Sequence, residues 1–351
     1  MTIADRSTRP LLTIAVPTFD RQENLRVCLS LLLPQLTDQC RLVVIDNCST
    51  PPARDVLNDV LDETPSNLAS VVRNRFNIGA NANITRCFEV CDTDWLWIVG
   101  DDDAVSPTAV QTVLSEIRAH SDCVFFCFSV DSRIPIHTTF ETSGLCELLD
   151  RVATTSYVLD SLGFISNTVY STRATMPFLR FGNQFTYSSL PHIAMLLMAL
   201  GDSGRCRFVS KAILDDIVLA SGDQLFDHTE LGLGRTILAD LPIADAARMR
   251  LVQMFRTTSV TPKQLSLELL GRIRSGRKRS DMLYRYDQLL SRRQFGRTSL
   301  IRMLNVVLFR QIVRFPRLSY AVMSRLYYPL IKRRPMPSLQ TSRQSEPFAR
   351  L

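Results

Sequence analysis

No stretch of this 351-residue chain holds the run of about 18 apolar residues that a membrane-crossing helix needs. Residues 1–6 place Asp5 and Arg6 ahead of any apolar run, so the beginning does not read as a signal peptide. The 9 cysteines include no Cys-x-x-Cys, and the 4 histidines form no cluster beside them, which argues against a zinc site. Their odd number argues against a disulfide framework and fits buried thiols in a reducing compartment. Internal repeats and long low-complexity tracts are also absent. These absences predict a cytoplasmic protein, or one attached to a membrane face without spanning it.

Acidic residues are scarce in the last third. From Arg248 onward 23 Lys and Arg stand against 4 Asp and Glu, a balance of +19, whereas residues 1–247 carry 18 bases and 30 acids, a balance of −12. The overall charge of +7 hides an acidic head fused to a basic tail. Such a tail offers a surface to polyanions. The composition, 46% apolar and 21% charged, is that of an ordinary folded protein of one large domain or two smaller ones.

What is present is an alternation of apolar strands and helical patterns. Strands are expected at 11–16, 41–46, 69–73, 95–99 and 123–130. Helices are expected at 24–36, 52–61, 81–91 and 106–120, the last capped by Ser106 with Pro107 in its first turn. Continuous apolar strands with intervening helices imply an α/β fold, a Rossmann-like, mostly parallel sheet flanked by helices. Ligands of such sheets bind beyond the strands' carboxyl ends. A further helix is expected at 190–200. From residue 244 onward the chain looks mostly helical with a charged interruption at 272–279, and after residue 335 polar and disordered.

The strand at 95–99 runs straight into Asp101, Asp102 and Asp103. Three adjacent carboxylates repel one another unless a cation sits among them, and hard oxygen ligands suit Mg²⁺ or Mn²⁺. The plainer alternative is a solvated acidic turn capping the next helix. Asp46 ends its strand where doubly wound sheets receive a nucleoside, although Asp46-Asn47 also serves as a turn starter. Asn77 and Gly79, with Asn81 and Asn83, supply amides and a flexible backbone, and Arg73, Arg75 and Arg86 supply charge for phosphate.

Residues 14–21 (IAVPTFDR), 43–49 (VVIDNCS), Asn77-Ile-Gly79 with Asn83, and 99–103 (VGDDD) occur in the order and spacing of family 2 glycosyltransferases, and over about residues 11–130 the chain resembles that family. Within it the sequence looks most like abequosyltransferase-type enzymes of bacterial surface polysaccharide. The resemblance implies a GT-A fold, a nucleotide-activated sugar donor and, in most members, inversion at the anomeric carbon. It implies that Pro17, Thr18 and Asp46 line the nucleoside pocket. It also matches Asp101 and Asp103 to the outer members of an Asp-x-Asp motif, with Asp103 the preferred metal ligand, Asp101 approaching ribose or metal, and Asp102 facing sugar or solvent.

An inverting transfer needs a base for the acceptor hydroxyl. In the family this is commonly a carboxylate about 90 residues past the metal motif, but residues 187–193 (YSSLPHI) contain none. His192 is the nearest candidate base, with Asp215 and Asp216 as fallbacks. The basic runs at 300–310 and 320–334 combine large apolar residues with periodic Arg and interfacial Tyr, as helices lying in an anionic membrane surface do. A helical subdomain packed on the sheet is the alternative. Nucleic acid is not the expected partner, because the apolar share exceeds what a phosphate-tracking surface needs.

The expected organisation is a glycosyltransferase domain over 1–240, with its nucleotide-sugar half at 11–130 and acceptor half at 131–240. A basic membrane-associating region follows over 241–334, then a tail over 335–351. The expected activity is transfer from a nucleotide diphosphate donor to a lipid-linked saccharide at the inner membrane face. The rival enzyme is a nucleotidyltransferase, but residues 17–21 (PTFDR) lack its Gly- and Lys/Arg-rich loop. The rival from another class is a non-catalytic polyanion binder using the tail.

Overall fold

The computed structural model describes residues 9–61, 68–130, 136–154, 161–218 and 234–258, all within the first of two units, Met1–Ser259. The expected basic helices, the charged interruption at 272–279 and the tail after 335 lie outside the described residues.

In chain order the elements are β1 (Leu12–Thr18), α1 (Gln22–Leu32), β2 (Cys40–Asp46), α2 (Ala53–Val60), β3 (Ala69–Arg73), α3 (Ala80–Val90), β4 (Trp95–Ile98) and β5 (Asp103–Val105). They continue with α4 (Ala109–Ala119), β6 (Cys123–Ser129), β7 (Phe140–Ser143), α5 (Gly144–Thr154), β8 (Thr168–Ser171), α6 (Pro191–Leu200), β9 (Arg205–Ala212), β10 (Leu214–Val218) and α7 (Asp245–Thr258), with short helical turns between β8 and α6. The main sheet has the order β3-β2-β1-β4-β8-β6-β9-β7. β3, β2, β1 and β4 are mutually parallel, as the apolar runs predict. Two strands depart from this order: β8 lies antiparallel between β4 and β6, and β7 pairs antiparallel with β9 at the sheet's edge.

Alternation along the strands builds a core on each face. Ile14, Val16, Leu42, Val44 and Trp97 pack with Leu25 and Leu29 of α1. Ala15, Val43, Ile45, Leu96 and Ile98 pack with Phe88 of α3 and with α6. Leu251 and Met254 of α7 join this second core beside Leu149 and Val152 of α5, and Arg250 pairs with Asp150 at 2.7 Å. Among the described residues no helix is long and apolar enough to cross a membrane.

Helix boundaries differ from expectation where long-range contacts decide them. α4 begins at Ala109, and no side chain of its own caps it. Gln35 does so from 75 residues away, its Oε1 accepting the Val110 N–H at 3.1 Å while its Nε2 donates to the Ser106 carbonyl at 2.9 Å. Ser106 is therefore not the cap: the cap position belongs to Thr108, and the Ser106 backbone N–H instead donates to the Ile213 carbonyl at 3.0 Å. All nine cysteines are free, and six are buried.

Candidate active site

The carboxyl ends of β1 to β4 converge, and backbone hydrogen bonds stitch them together. Asn47 N–H donates to the Thr18 carbonyl at 2.9 Å, and Asn74 N–H to that of Asp46 at 2.8 Å. Thr18 is buried at the end of β1 with Pro17 half-buried beside it. Its hydroxyl donates to Asp101 Oδ2 at 2.6 Å.

Asp46 is fully buried. Its Oδ1 accepts the Ser49 N–H at 2.8 Å and its Oδ2 the Ala53 N–H at 3.2 Å at the start of α2, while Arg73 pairs with Oδ2 as well. Burial pushes this carboxyl up, but the hydrogen bonds from Ser49, Ala53 and Arg73 outweigh it and hold the group below its ordinary value. The expectation that Asp46 accepts from a nucleobase thus meets a carboxylate whose oxygens are engaged by its own loop.

The asparagines form a frame. Asn47 Nδ2 donates to Asn77 Oδ1 at 2.8 Å, and Asn47 Oδ1 accepts from Asn74 Nδ2 and the Ile78 N–H, each at 3.0 Å. Asn74 Nδ2 also reaches Asn83 Oδ1 at 2.8 Å, and Asn83 Nδ2 donates to the Ile45 carbonyl at 3.1 Å. Gly79, at φ +84, lets the chain turn into α3 while its N–H reaches Asn77 Oδ1 at 2.8 Å. This frame anchors the loop that carries the exposed Phe76 and Ile78. Asn83 is a buried brace, and Asn77 is the exposed member.

The three carboxylates after β4 separate in role. Asp101 turns inward, 3% exposed, and accepts from Thr18 and from Arg21. Burial pushes the Asp101 carboxyl up against the pull of Thr18 and Arg21. Asp102 Oδ2 accepts from the other arm of Arg21 at 3.1 Å. Asp103 Oδ2 accepts from the Ser166 hydroxyl at 2.6 Å. The cation that the sequence demands among these acids is in part Arg21, which the two carboxylates hold protonated despite burial.

Gly100 makes the rest of the arrangement possible. A Cβ there would stand 2.8 Å from Asp103 Oδ2 and 3.0 Å from Asp102 Oδ1, so these two oxygens converge on space that only glycine leaves open. Two converging hard oxygens fit Mg²⁺ or Mn²⁺ when a diphosphate supplies further ligands. Among the described residues no group of three or more His, Cys, Asp or Glu is disposed to hold a metal ion by itself. Beneath the turn, Cys28 Sγ lies 3.7 Å from the Gly100 carbonyl. Burial, and then the neighbouring acids, push its thiol far up, so it remains a neutral S–H rather than a ligand.

His192 sits in the first turn of α6, 3% exposed, with both ring nitrogens buried and without a hydrogen-bond partner among the described residues. Burial lowers it to about 3. A ring sealed from water whose charged form is disfavoured by its surroundings is a poor proton acceptor near neutral pH, and this placement weighs against the expected role of His192 as the base. Asp215, though distant in sequence, lies on β10, which pairs antiparallel with the strand that Asp103 opens. Sequence reasoning missed Ser166 and the bridging role of Arg21.

Residues 13–156 match the model of glycosyl transferase family 2. Abequosyltransferase RfbV of Salmonella typhimurium is 22% identical over 330 residues, covering 89% of this chain and 95% of that protein. An uncharacterized glycosyltransferase of Haemophilus influenzae is 26% identical over 115 residues, which span 33% of this chain and only 37% of that protein. Among solved structures, S. aureus TarS 1-349 in complex with UDP-GlcNAc superposes with a TM-score of 0.59 at 13% identity, covering 88% of this chain and 92% of that one. That likeness carries the GT-A arrangement of the fold.

Proposed function

Since residues 13–156 match the model of glycosyl transferase family 2, we propose that the chain moves one sugar from a nucleotide diphosphate donor onto a saccharide acceptor, with metal dependence and inversion at the anomeric carbon. The observation that carries this reading is the convergence of Asp102 Oδ1 and Asp103 Oδ2 over Gly100, at the strand ends where parallel sheets receive ligands. Asp103 and Asp102 would hold Mg²⁺ or Mn²⁺ there, and the cation would neutralise charge on the departing diphosphate. Thr18 and Arg21 fix Asp101 at the base of the turn, and the asparagine frame fixes the loop of Asn77 to Gly79 against the nucleoside. UDP-GlcNAc in the TarS complex and the name of the Salmonella relative support a nucleotide-sugar donor and glycosyl transfer.

Thermal-shift measurement of the full chain with UDP-, CDP-, GDP- and dTDP-sugars, with and without Mn²⁺, tests this reading, because a ligand of the native state raises its melting temperature. One nucleotide class is expected to raise it only when Mn²⁺ is present. Gly100→Ala, whose methyl would force the two carboxylates apart, is expected to melt within a few degrees of wild type yet lose that metal-dependent rise. A rise without metal, or one unchanged in Gly100→Ala, defeats the reading.

The acceptor is proposed to be lipid-linked, with the enzyme peripheral on the inner face of the cell membrane through its basic segment. The support is the +19 balance from Arg248 onward together with its large apolar residues. The full chain is then expected to sediment with vesicles containing anionic phosphatidylglycerol and not with neutral phosphatidylcholine ones. Equal behaviour with both removes the membrane part and leaves the enzymatic part standing.

A further inference from the structure

Ser166 lies outside the segment that matches the family model, residues 13–156, and 63 residues from Asp103, yet it touches the acid turn twice. Its hydroxyl donates to Asp103 Oδ2 at 2.6 Å and accepts the Gly100 N–H at 2.8 Å. Its carbonyl accepts the indole N–H of Trp97 at 2.7 Å. Trp97 is fully buried in β4, and Ser166 is itself fully buried in the 3₁₀ turn Ile165–Asn167 just before β8. The hydroxyl is therefore pinned from two sides by rigid elements: the indole fixes its backbone and the Gly100 amide fixes the rotation of Oγ. With one lone pair committed to the Gly100 N–H, its proton points to Asp103 Oδ2.

We propose that Ser166 is a positioning residue for the metal-binding carboxylate of Asp103, setting the orientation in which Oδ2 meets Asp102 Oδ1 over Gly100. The inference rests on the metal-dependent reading above and deepens it. Groups that hydrogen-bond a ligating carboxylate fix its orientation and so set the affinity for the cation, and their loss costs about 10- to 100-fold in that affinity. A serine here also joins the nucleotide-sugar half to the acceptor half. The turn that precedes β8 thereby controls a carboxylate that follows β4, and β8 is the antiparallel strand that interrupts the parallel order.

The test uses the full chain with the nucleotide sugar selected by thermal shift, titrated with Mn²⁺, alongside a direct count of bound Mn²⁺ by electron paramagnetic resonance. Ser166→Ala is expected to raise the Mn²⁺ concentration at half-saturation by about 10- to 100-fold in both readouts, while the shift at saturating Mn²⁺ stays near that of wild type. Ser166→Cys, which keeps the size and a weaker donor, is expected to fall between them and serves if the alanine variant does not fold. A lowered urea midpoint with an unchanged Mn²⁺ half-saturation would assign Ser166 a merely structural role and overturn the proposal. If wild type itself binds donor without regard to Mn²⁺, the metal reading fails and this proposal falls with it. If wild type depends on Mn²⁺ and both variants match it, the proposal alone fails.

Discussion

Asp46→Ala is expected to lower the stability of the domain by about 2–5 kcal/mol, because truncation leaves buried donors without an acceptor. The carboxylate is wholly inaccessible and accepts the amides of Ser49 and Ala53. Its third partner, Arg73, is partly exposed at 38% and can turn to water, so the orphaned amides carry most of the cost. For a domain of this size the melting temperature should fall by about 4–20 °C, and a fall below about 2 °C would show that the loop reorganises around the loss.

Acid titration gives a second readout at the same carboxyl. A group whose folded value is depressed contributes stability that is present above its ordinary value and lost as pH falls through the folded one. For Asp46 that window lies below 3.8. The gap between wild type and Asp46→Asn should therefore narrow as pH drops below 3.8. A gap constant across that range would mean that the hydrogen bonds from Ser49, Ala53 and Arg73 do not favour the charged form. Because the carboxylate fixes the turn between β2 and α2, and Asn47 leads from that turn into the asparagine frame, the variant should also bind donor more weakly at temperatures where it stays folded.

In the parallel half of the sheet β1, β2 and β4 were legible because they are buried on both faces and so are written as nearly unbroken apolar runs, while β3, at the edge, showed only as a short β-rich stretch with exposed positions. β5 and β7 were not legible: at three and four residues they are too short to show a period. β8 was hidden for another reason. Its four residues are buried, but their antiparallel place between β4 and β6 depends on contacts far apart in sequence. The start of α4 failed likewise, since Ser106-Pro107 is a sound local signal overridden by Gln35.

The acid turn was legible as a demand for positive charge, though not for which charge. Arg21 meets part of that demand from 80 residues before Asp101, and neither its motif nor its spacing announces that it bridges Asp101 and Asp102. Ser166 carried no signal at all, being a single serine in an irregular stretch. For His192 the sequence did hold a warning. The helix Pro191–Leu200 is apolar on almost every side, so a histidine in it is more readily a buried ring than a solvated base.

Asp103→Ala is expected to reduce kcat/KM for the donor by about 10³-fold, the scale seen when a group that stabilises transition-state charge is removed from an otherwise intact site. The three carboxylates should rank by what already holds them. Both oxygens of Asp101 are engaged by Thr18 and Arg21 and hidden from solvent, so Asp101→Asn should act mainly through stability. Asp102 shares its charge with Arg21, which weakens it as a donor to a cation, and Asp102→Asn should cost about tenfold. Asp103 is aimed by Ser166 at the opening over Gly100, and its removal also strands the Ser166 hydroxyl in a buried position. Steady-state kinetics on folded variants at saturating Mn²⁺ decides the order. If Asp102→Asn costs more than Asp103→Ala, the main ligand is Asp102 and the Arg21 pairing does not weaken it. If Asp103→Ala stays within tenfold of wild type, the convergence over Gly100 is not where the diphosphate charge is met.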